Sequence, residues 1–331
     1  MNVLEQNRST IPVTLAILLA LGLRSVAIGE ISGEVIAAHN RRTATSAVMS
    51  ATDGSGFTVL SCGGDLTHQG TPRYFVTSVG GTIVLPDGYL NSFLVAADED
   101  CNLPVTLSGQ SPNMRFSTSP RWSHDGSRIA VYAQAFDLDS GIQTASGIFI
   151  ADVVTDATGR PVGIENLALE IPTPGEVSFS LSGDDTRIVF VGEAPDSQGG
   201  QQLDLFVHYV GTSISDNITQ TDDIENNPSW SPVDERIAFQ RLVSDRNGNR
   251  WDIFTVSSAG GPATQVTSRR TTGQPQNIMP CFSPDGEFLS FSVGDAWYDN
   301  DIYRIRADGS GKAVNLTRKR DGDFRLNFWR R

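Results

Sequence analysis

One recurring unit, a short strand, a tight turn and a second strand, limits what this chain of 331 residues can fold into. Its clearest copy is MPCFSPDGEFLSFSV, Met279 to Val293, in which the segment after the Ser-Pro-Asp-Gly turn alternates as a strand does. A third strand, DIYRIRA, and a fourth that ends in Asn-Leu-Thr follow within Asp301 to Thr317. Because a sheet of four such strands cannot bury both of its faces alone, copies of it must stack.

Further copies of the unit occur along the chain. They begin with NPSWSPVDERIAFQ, SPRWSHDGSRIAVYA, EVSFSLSGDDTRIVFVG and the more diverged TPRYFVTSVGGTIVL. The aromatic residue before each turn sets the predicted register, and these markers are Tyr74, Trp122, Phe179, Trp230 and Phe282. Their spacings of 48, 57, 51 and 52 residues suit four-stranded propeller blades with insertions. We expect each marker to pack between neighbouring blades.

The two ends of the chain carry complementary parts of the unit. Ser46 to Ser61 has the pattern of a third and a fourth strand, but no first strand with its aromatic residue precedes it. Asp321 to Arg331, DGDFRLNFWRR, has the pattern of a first strand. The sequence therefore predicts an all-β, six-bladed propeller of four-stranded antiparallel blades, in which the C-terminal strand joins the N-terminal blade and closes the ring.

The first 27 residues differ from the rest. Ile11 to Leu23 is a mostly apolar run of 13 residues, which is short for a membrane span, and Ser25-Val26-Ala27 has small residues where a signal peptidase cleaves. We expect residues 1–27 to be a cleaved export signal, with an uncleaved anchor as the alternative. Residues 28–331 are then a single propeller domain without a membrane span, in the periplasm or secreted.

Charge and cysteine content limit the partners and cofactors. A formal net charge of −13 and a pI of about 4.7 argue against nucleic acid, whose phosphates need a basic surface. The three cysteines are too few for a disulfide scaffold or a zinc site. Cys62 and Cys101 are one possible pair, and Cys281 lies in a predicted buried strand as a small apolar residue.

The copies resemble the TolB-like propeller repeat, which is a WD40-like repeat. The resemblance rests on the turn Ser283-Pro284-Asp285-Gly286 and on the Asp-Ile-Tyr/Phe starts of third strands at Asp301 and Asp252, and it extends from about Gly29 to the end. It implies a periplasmic protein that touches envelope partners, here without the α/β domain that precedes the propeller of TolB itself. Similar propellers occur as the gating domain of prolyl-oligopeptidase-like enzymes and in metal-dependent oligogalacturonate lyases.

Candidate binding residues lie in the connections between blades. Two connections are basic and the preceding one is acidic; the residues are Arg269, Arg270, Arg318, Lys319 and Arg320, with Asp222, Asp223 and Glu225. Loops between second and third strands share a face with these connections, so we expect both at the channel mouth. A basic sector of an acidic protein can receive a carboxylate or an acidic segment, although pairing with neighbouring acidic loops is the alternative.

One loop has a pattern that suggests a metal. Asp245, Asn247 and Asn249 place oxygen ligands at alternate positions, as calcium loops do. The glycine of this loop is misplaced for that pattern and no Glu follows at the twelfth position, so a solvated loop is the main expectation and calcium the alternative. Asp252 and Asp301 recur at strand starts, and we interpret them as structural caps.

Motifs for catalysis are not found in the sequence. There is no Gly-x-Ser-x-Gly elbow, phosphate loop or dinucleotide fingerprint, and His39, His68, His124 and His208 are scattered, with His124 expected to be exposed. We therefore predict a monomeric, non-enzymatic protein without a cofactor that binds an envelope or extracellular protein. Binding or cleavage of an anionic carbohydrate at the channel mouth is the alternative.

Overall fold

The computed structural model describes residues 34–39, 45–50, 58–60, 65–66, 74–85, 88–98, 104–117, 119–245, 248–268, 276–295, 298–317 and 324–330. The chain divides into two units, Met1–Glu30 and Ile31–Arg331, and every described residue belongs to the second. The predicted export signal, Cys62 and Cys101 lie outside the described residues. None of the described segments forms a helix with the length and apolarity to cross a membrane.

The described residues form 25 strands and no helix. In chain order the strands are β1 (Glu34–His39), β2 (Thr45–Ser50), β3 (Thr58–Leu60), β4 (Asp65–Leu66), β5 (Tyr74–Val84), β6 (Leu90–Asp98), β7 (Val105–Thr106), β8 (Met114–Phe116), β9 (Arg121–Trp122), β10 (Arg128–Asp137), β11 (Ile142–Thr155), β12 (Pro161–Pro172), β13 (Phe179–Leu181), β14 (Arg187–Pro195), β15 (Gln201–Tyr209), β16 (Ser215–Asn217), β17 (Glu225–Trp230), β18 (Arg236–Asp245), β19 (Gly248–Ser257), β20 (Thr264–Gln265), β21 (Asn277–Phe282), β22 (Phe288–Asp295), β23 (Tyr298–Arg306), β24 (Val314–Asn315) and β25 (Phe324–Arg330).

In the described part of the chain these strands form six antiparallel sheets. We number them I (β25-β1-β2-β3), II (β4-β5-β6-β7), III (β8 to β12), IV (β13-β14-β15-β16), V (β17-β18-β19-β20) and VI (β21-β22-β23-β24). In sheet III both β8 and β9 pair with β10, so its first strand consists of two pieces. The prediction of four-stranded antiparallel sheets is confirmed, since the alternating segments fit a pleated, half-buried surface.

The last described strand belongs to the same sheet as the first. β25 pairs antiparallel with β1 in six registered pairs, which run from Glu34 opposite Arg330 to His39 opposite Phe324. The register shifts once, between Ile36 and Ala37. The strand that the sequence assigns to the N-terminal blade is therefore hydrogen-bonded to that blade.

Apolar clusters fill the interfaces between neighbouring sheets. Trp122 packs with side chains of sheets II and III, and Trp230 packs with side chains of sheets IV and V. Phe282 lies in the equivalent cluster of sheets V and VI. All three side chains are at most 4% exposed, and Phe179, at 7% exposed, packs with side chains of sheets III and IV. The prediction that marker aromatics pack between blades is confirmed for these four.

Two of the predicted markers are assigned to the wrong place. Leu181 pairs with Ile188 in the way that Trp122, Trp230 and Phe282 pair with the second strands of their sheets, whereas Phe179 lies two residues earlier. Tyr74 begins the second strand of sheet II, whose first strand is β4. The position requires a large apolar side chain rather than an aromatic ring, and a register based on aromatic residues therefore fails where leucine fills it.

The Asp-Gly turns are built as the sequence predicts. In the turn before β22, Asp285 accepts hydrogen bonds from the Ser283 hydroxyl and from the Glu287 N–H. Gly286 has a φ of 70°, which glycine adopts without a steric penalty. The turn is therefore stabilised by hydrogen bonds among its own residues.

Arginines at the start of second strands connect each turn to the next sheet. Arg128 Nη2 donates to the carbonyl oxygen of Asp185 at 2.8 Å, and Arg236 Nη2 donates to that of Gly286 at 2.7 Å. Arg187 in sheet IV instead donates to the carboxylate of Glu235 at 2.8 and 2.9 Å. One recurring arginine thus joins sheets III to IV, IV to V and V to VI.

The contact of His124 with Asp185 corrects the expectation that His124 is exposed. The side chain of His124 is 15% exposed, and its Nδ1 lies 3.0 Å from Asp185 Oδ1. The backbone N–H groups of His124 and Asp125 also donate to the Asp185 carboxylate, at 2.8 and 3.2 Å. A histidine in the proline position of this turn has an N–H, which proline lacks, and the neighbouring sheet binds it.

Two replacements of Asp185 are expected to distinguish the stability lost with this contact from the stability lost through backbone strain. Asp185 has a φ of 57° where the equivalent Gly126 and Gly286 have 74° and 70°. Asp185→Gly should lower the free energy of unfolding by about 1–2 kcal/mol through the lost acceptor, and Asp185→Ala by about 2–4 kcal/mol because left-handed strain is added. Urea denaturation measures both. Equal losses in the two variants would contradict the assignment of strain.

Aspartates in the fourth or fifth position of third strands join the third and fourth strands. Asn217 donates to Asp204 at 2.6 Å, Gln265 to Asp252 at 3.0 Å and Asn315 to Asp301 at 2.9 Å. The structural role predicted for Asp252 and Asp301 is confirmed, but both lie within their strands rather than at the starts, so they are not caps. The amides of Asn217 and Asn315, which begin Asn-x-Thr triplets, are engaged inside the repeat.

Candidate functional site

A cavity of about 250 Å³ lies where the first strands of sheets III to VI begin. We call it the inner-strand cavity. Ser119, Ser178, Asn227 and Met279 line it, and each stands three residues before the residue at the marker position of its sheet. Equivalent positions of four sheets thus contribute one side chain each to one wall.

The wall of the inner-strand cavity contains two residues in an unusual conformation. Asn227 and Met279 have φ values of 49° and 54°, and each lies in an irregular part of its strand. Gln240, which is 5% exposed, holds both of them: its Oε1 accepts from Asn227 Nδ2 and from the Met279 N–H at 2.9 Å each. Ser178 extends this chain of hydrogen bonds by donating to Asn227 Oδ1 at 3.0 Å. The strain is of the kind that surrounding contacts maintain at binding sites.

The cavity wall also carries charge. Arg121 of sheet III and Glu176, just before sheet IV, both line it, and Pro228 and Pro280 provide apolar surface. Arg121 is half-buried and Glu176 is exposed. A guanidinium in such a setting binds a carboxylate more strongly than it does in open water.

The predicted acidic connection reaches the loop between β14 and β15. Asp222 accepts hydrogen bonds from the N–H of Ser197, at 2.6 Å, and from its hydroxyl. These hydrogen bonds lower the pKa of the Asp222 carboxyl. The prediction that strand two-three loops and connections share a face is therefore confirmed for sheet IV. Asp222 and Asp223 are exposed on that face.

Glu225, the third predicted acidic residue, is not at the surface. Its side chain is fully buried between sheets IV and V, where Oε1 accepts from Arg241 Nη2 at 2.7 Å and from the Thr221 hydroxyl at 2.8 Å. Burial raises the pKa of the Glu225 carboxyl. The prediction that Glu225 binds a partner is wrong, because Glu225 begins β17 rather than lying in the connection. A fully buried side chain cannot touch a docked protein.

The predicted basic sector lies outside the part of the chain that the structure describes. Arg269, Arg270, Arg318, Lys319 and Arg320 lie outside the described residues, so the basic sector stays a prediction.

The calcium candidate is described in part. Asn247 lies outside the described residues, and Asn249 accepts a hydrogen bond from the Ser244 hydroxyl at 2.9 Å. Asp245 pairs with Gly248 at the end of a tight hairpin. In the described ranges, no three or more His, Cys, Asp or Glu side chains are grouped as metal ligands. The calcium loop stays a prediction.

His208 is a residue whose surroundings the sequence does not indicate. It is 3% exposed, with Nε2 2.9 Å from Glu170 Oε1 and Nδ1 3.0 Å from the Ser215 hydroxyl. Glu170 belongs to sheet III, so the contact joins sheets III and IV. Asp204 and His208 lie on one face of β15 with Phe206 between them, and polar residues on one face of an apolar strand are the signal for such contacts.

The chain is similar in sequence to part of a bacterial protein. No protein-family model matches the chain. The uncharacterized peptidase YuxL of Bacillus subtilis is 29% identical over 149 residues, which cover 42% of this chain and 21% of that protein. The chain thus spans a fifth of the length of this curated relative.

Solved structures identify the fold. TolB from Acinetobacter baumannii is similar with a TM-score of 0.60 and 14% identity, over 91% of this chain and 67% of that one. Hydrazine synthase of Kuenenia stuttgartiensis is similar with a TM-score of 0.58 and 10% identity, over 89% of this chain and 46% of that one. At such identities the likeness shows fold and not function. The fold is a β-propeller, and it is TolB-like, as the repeat predicts.

Proposed function

We propose that the chain is an exported, non-catalytic protein-binding module of the cell envelope, built as a six-bladed TolB-like propeller that β25 closes in sheet I. The six sheets and the pairing of β25 with β1 support the ring. The predicted export signal of residues 1–27 supports a periplasmic or secreted location. A rigid ring with variable loops on one face suits recognition of a protein.

The wall of the inner-strand cavity carries this proposal. Asn227 and Met279 are held in a strained conformation by Gln240, so the wall is formed before a partner arrives. A preformed site avoids the entropic cost of ordering on binding. The cavity, of about 250 Å³, suits a loop or terminal segment of a partner, and Arg121 gives that segment a counter-charge for a carboxylate.

Site-directed photo-crosslinking in the native cell envelope tests the proposal. A photoreactive phenylalanine analogue in place of Ser119 should crosslink to one protein, whereas the same analogue in place of the exposed Thr158, in the β11–β12 hairpin, should not. Arg121→Glu should weaken binding of the purified partner by at least tenfold, or about 1.4 kcal/mol. Lys312→Glu, at an exposed turn, is the matched charge reversal. Equal crosslinking at both positions, or unchanged binding by Arg121→Glu, contradicts the proposal.

The basic connections are a second part of the proposal and rest on the sequence. Replacing Arg269, Arg270, Arg318 and Arg320 by Ala in the same binding assay tests their contribution. Unchanged binding removes the basic sector from the proposal and leaves the inner-strand cavity in place.

Arg121 also supports the alternative function, binding or cleavage of an anionic carbohydrate. A uronate carboxylate is as good a partner for a guanidinium as an aspartate of a peptide. A screen of acidic polysaccharides for binding and for metal-dependent turnover distinguishes the two functions, because a bound metal alone could be structural. Stoichiometric metal together with turnover would replace protein binding by catalysis.

A further inference from the structure

Two neighbouring sheet interfaces use equivalent positions but carry different charges. Between sheets V and VI, the buried carboxylate of Asp252 accepts from Arg250 Nε at 2.8 Å and from Asn277 Nδ2 at 2.9 Å. Gln265 Nε2 donates to the same carboxylate at 3.0 Å. One carboxylate is matched by one guanidinium, so the buried charges cancel.

Between sheets IV and V the donors at these positions are replaced. The equivalent carboxylate is Asp204, which is 1% exposed. Gln202 stands where Arg250 stands, two residues before the aspartate, and Glu225 stands where Asn277 stands, five residues before the marker position. The interface of sheets IV and V thus has a neutral amide in place of the cation and a carboxylate in place of the amide donor.

Charge at the interface of sheets IV and V does not cancel among these side chains. Arg241 supplies one positive charge through its contact with Glu225 Oε1 at 2.7 Å. When both are ionised, the carboxylates of Asp204 and Glu225 supply two negative charges, and both are buried. One negative charge is in surplus, and an uncompensated charge in a protein interior is strongly unfavourable.

Two buried oxygen atoms show where the missing charge belongs. Gln202 Oε1 and Glu225 Oε2 have no hydrogen-bond partner within 3.5 Å among the described residues, although Gln202 is 7% exposed and Glu225 is fully buried. The Thr219 hydroxyl, which accepts from the Leu205 N–H, also interacts with the Glu225 carboxyl. The orientation of the Gln202 amide is fixed, because its Nε2 faces two acceptors, Asp204 Oδ1 and the carbonyl oxygen of Thr221. The unpartnered atom is therefore an oxygen and not a misassigned nitrogen.

Thr221 holds the acidic residues together and connects them to solvent. Its N–H donates to Asp204 Oδ1 at 3.4 Å, and its hydroxyl donates to Glu225 Oε1 at 2.8 Å. Thr221, Thr219 and Arg241 also line an open cavity of about 530 Å³ at the surface. Thr221 therefore lies both beside the buried carboxylates and at a cavity that opens to solvent.

We propose that the interface of sheets IV and V binds one hard metal cation through Glu225 Oε2, Gln202 Oε1 and the Asp204 carboxylate. Oxygen-only ligands select Na⁺ or Ca²⁺ over softer metals. The surplus of one negative charge is met by a monovalent ion, and a divalent ion would draw additional charge from the exposed Asp223. The inference is independent of the proposed function, since it concerns how two sheets are held together.

Thermal unfolding of the full chain tests the site. The protein is dialysed against a chelator into tetramethylammonium chloride and then titrated with NaCl, KCl, CaCl₂ or MgCl₂ at constant ionic strength. Na⁺ or Ca²⁺ should raise Tm by roughly 5–10 °C at a hundredfold excess over Kd. No cation-specific rise overturns the proposal.

Two variants assign the response to this interface. Glu225→Gln places an amide where Asn277 stands, and Gln202→Arg places a guanidinium where Arg250 stands, so both should abolish the cation response. Glu165→Gln, at an exposed position, should keep it. A response that survives in both variants but is lost in Asp245→Asn overturns the proposal in favour of the β18–β19 loop.

A proton is the competing source of positive charge. If Tm is insensitive to cations but falls as pH rises, and Glu225→Gln removes that pH dependence, a protonated Glu225 carboxyl neutralises the interface and the metal site is rejected.

Discussion

A chain that ends before Phe324 is expected to lose its cooperative unfolding transition, or to melt roughly 15 °C or more below the full-length protein. The deletion of Phe324–Arg331 removes all six registered pairs between β25 and β1 and leaves β1 as an open edge. The loss is comparable to the whole stability of a typical domain, about 5–15 kcal/mol. Circular dichroism during heating, with gel filtration to detect association through the open edge, measures the effect.

Two smaller changes show whether the pairing itself is responsible. Removal of Arg331 alone affects none of the six pairs and should leave Tm unchanged. Leu326→Pro removes one N–H from the strand opposite Ala37 and should destabilise the protein without shortening it. A truncated protein that melts like the full chain would show that sheet I does not depend on β25, and the closed six-bladed ring would be abandoned.

Much of the fold was predictable because the signals for strands are local. Alternation, Asp-Gly turns and the Asp-Ile-Tyr/Phe starts each depend on a few neighbouring residues, and sheets IV to VI follow them. The register of sheet IV was not predictable from aromatic residues, because Leu181 fills the place of a ring. The volume between two sheets decides which side chain fits that position. The residues that line this volume come from two sheets and lie about 50 positions apart in the sequence.

The candidate site was predictable only in part, because its geometry depends on contacts between sheets. Glu225 comes shortly after two exposed aspartates, so the sequence suggests that it is exposed too. In the structure it is buried, because it belongs to β17 and pairs with Arg241 of β18. Asn227 and Met279 both precede proline, which normally favours an extended conformation, so no local rule predicts their left-handed φ. The hydrogen bonds of Gln240 supply the reason, and they connect sheets V and VI.

Replacement of Trp230 by Ala is expected to lower the free energy of unfolding by about 3–5 kcal/mol. Trp230 is 3% exposed and packs with Val189 and Leu205 of sheet IV and with Phe239 of its own sheet. The guanidinium of Arg187 lies 4.9 Å from the ring centroid while it binds Glu235, so the ring also supports the ion pair that joins the two sheets. Urea denaturation monitored by circular dichroism measures the loss.

The repeat itself supplies the control variants for Trp230. Trp230→Phe installs the residue found at Phe282, and Trp230→Leu the residue found at Leu181, so both side chains are known to fit this position in a neighbouring sheet. We expect losses that increase in the order Phe, Leu, Ala, because the cavity left behind grows in that order. A loss below about 1 kcal/mol in Trp230→Ala would mean that sheets IV and V are held by their polar contacts, with Arg187–Glu235 as the principal link.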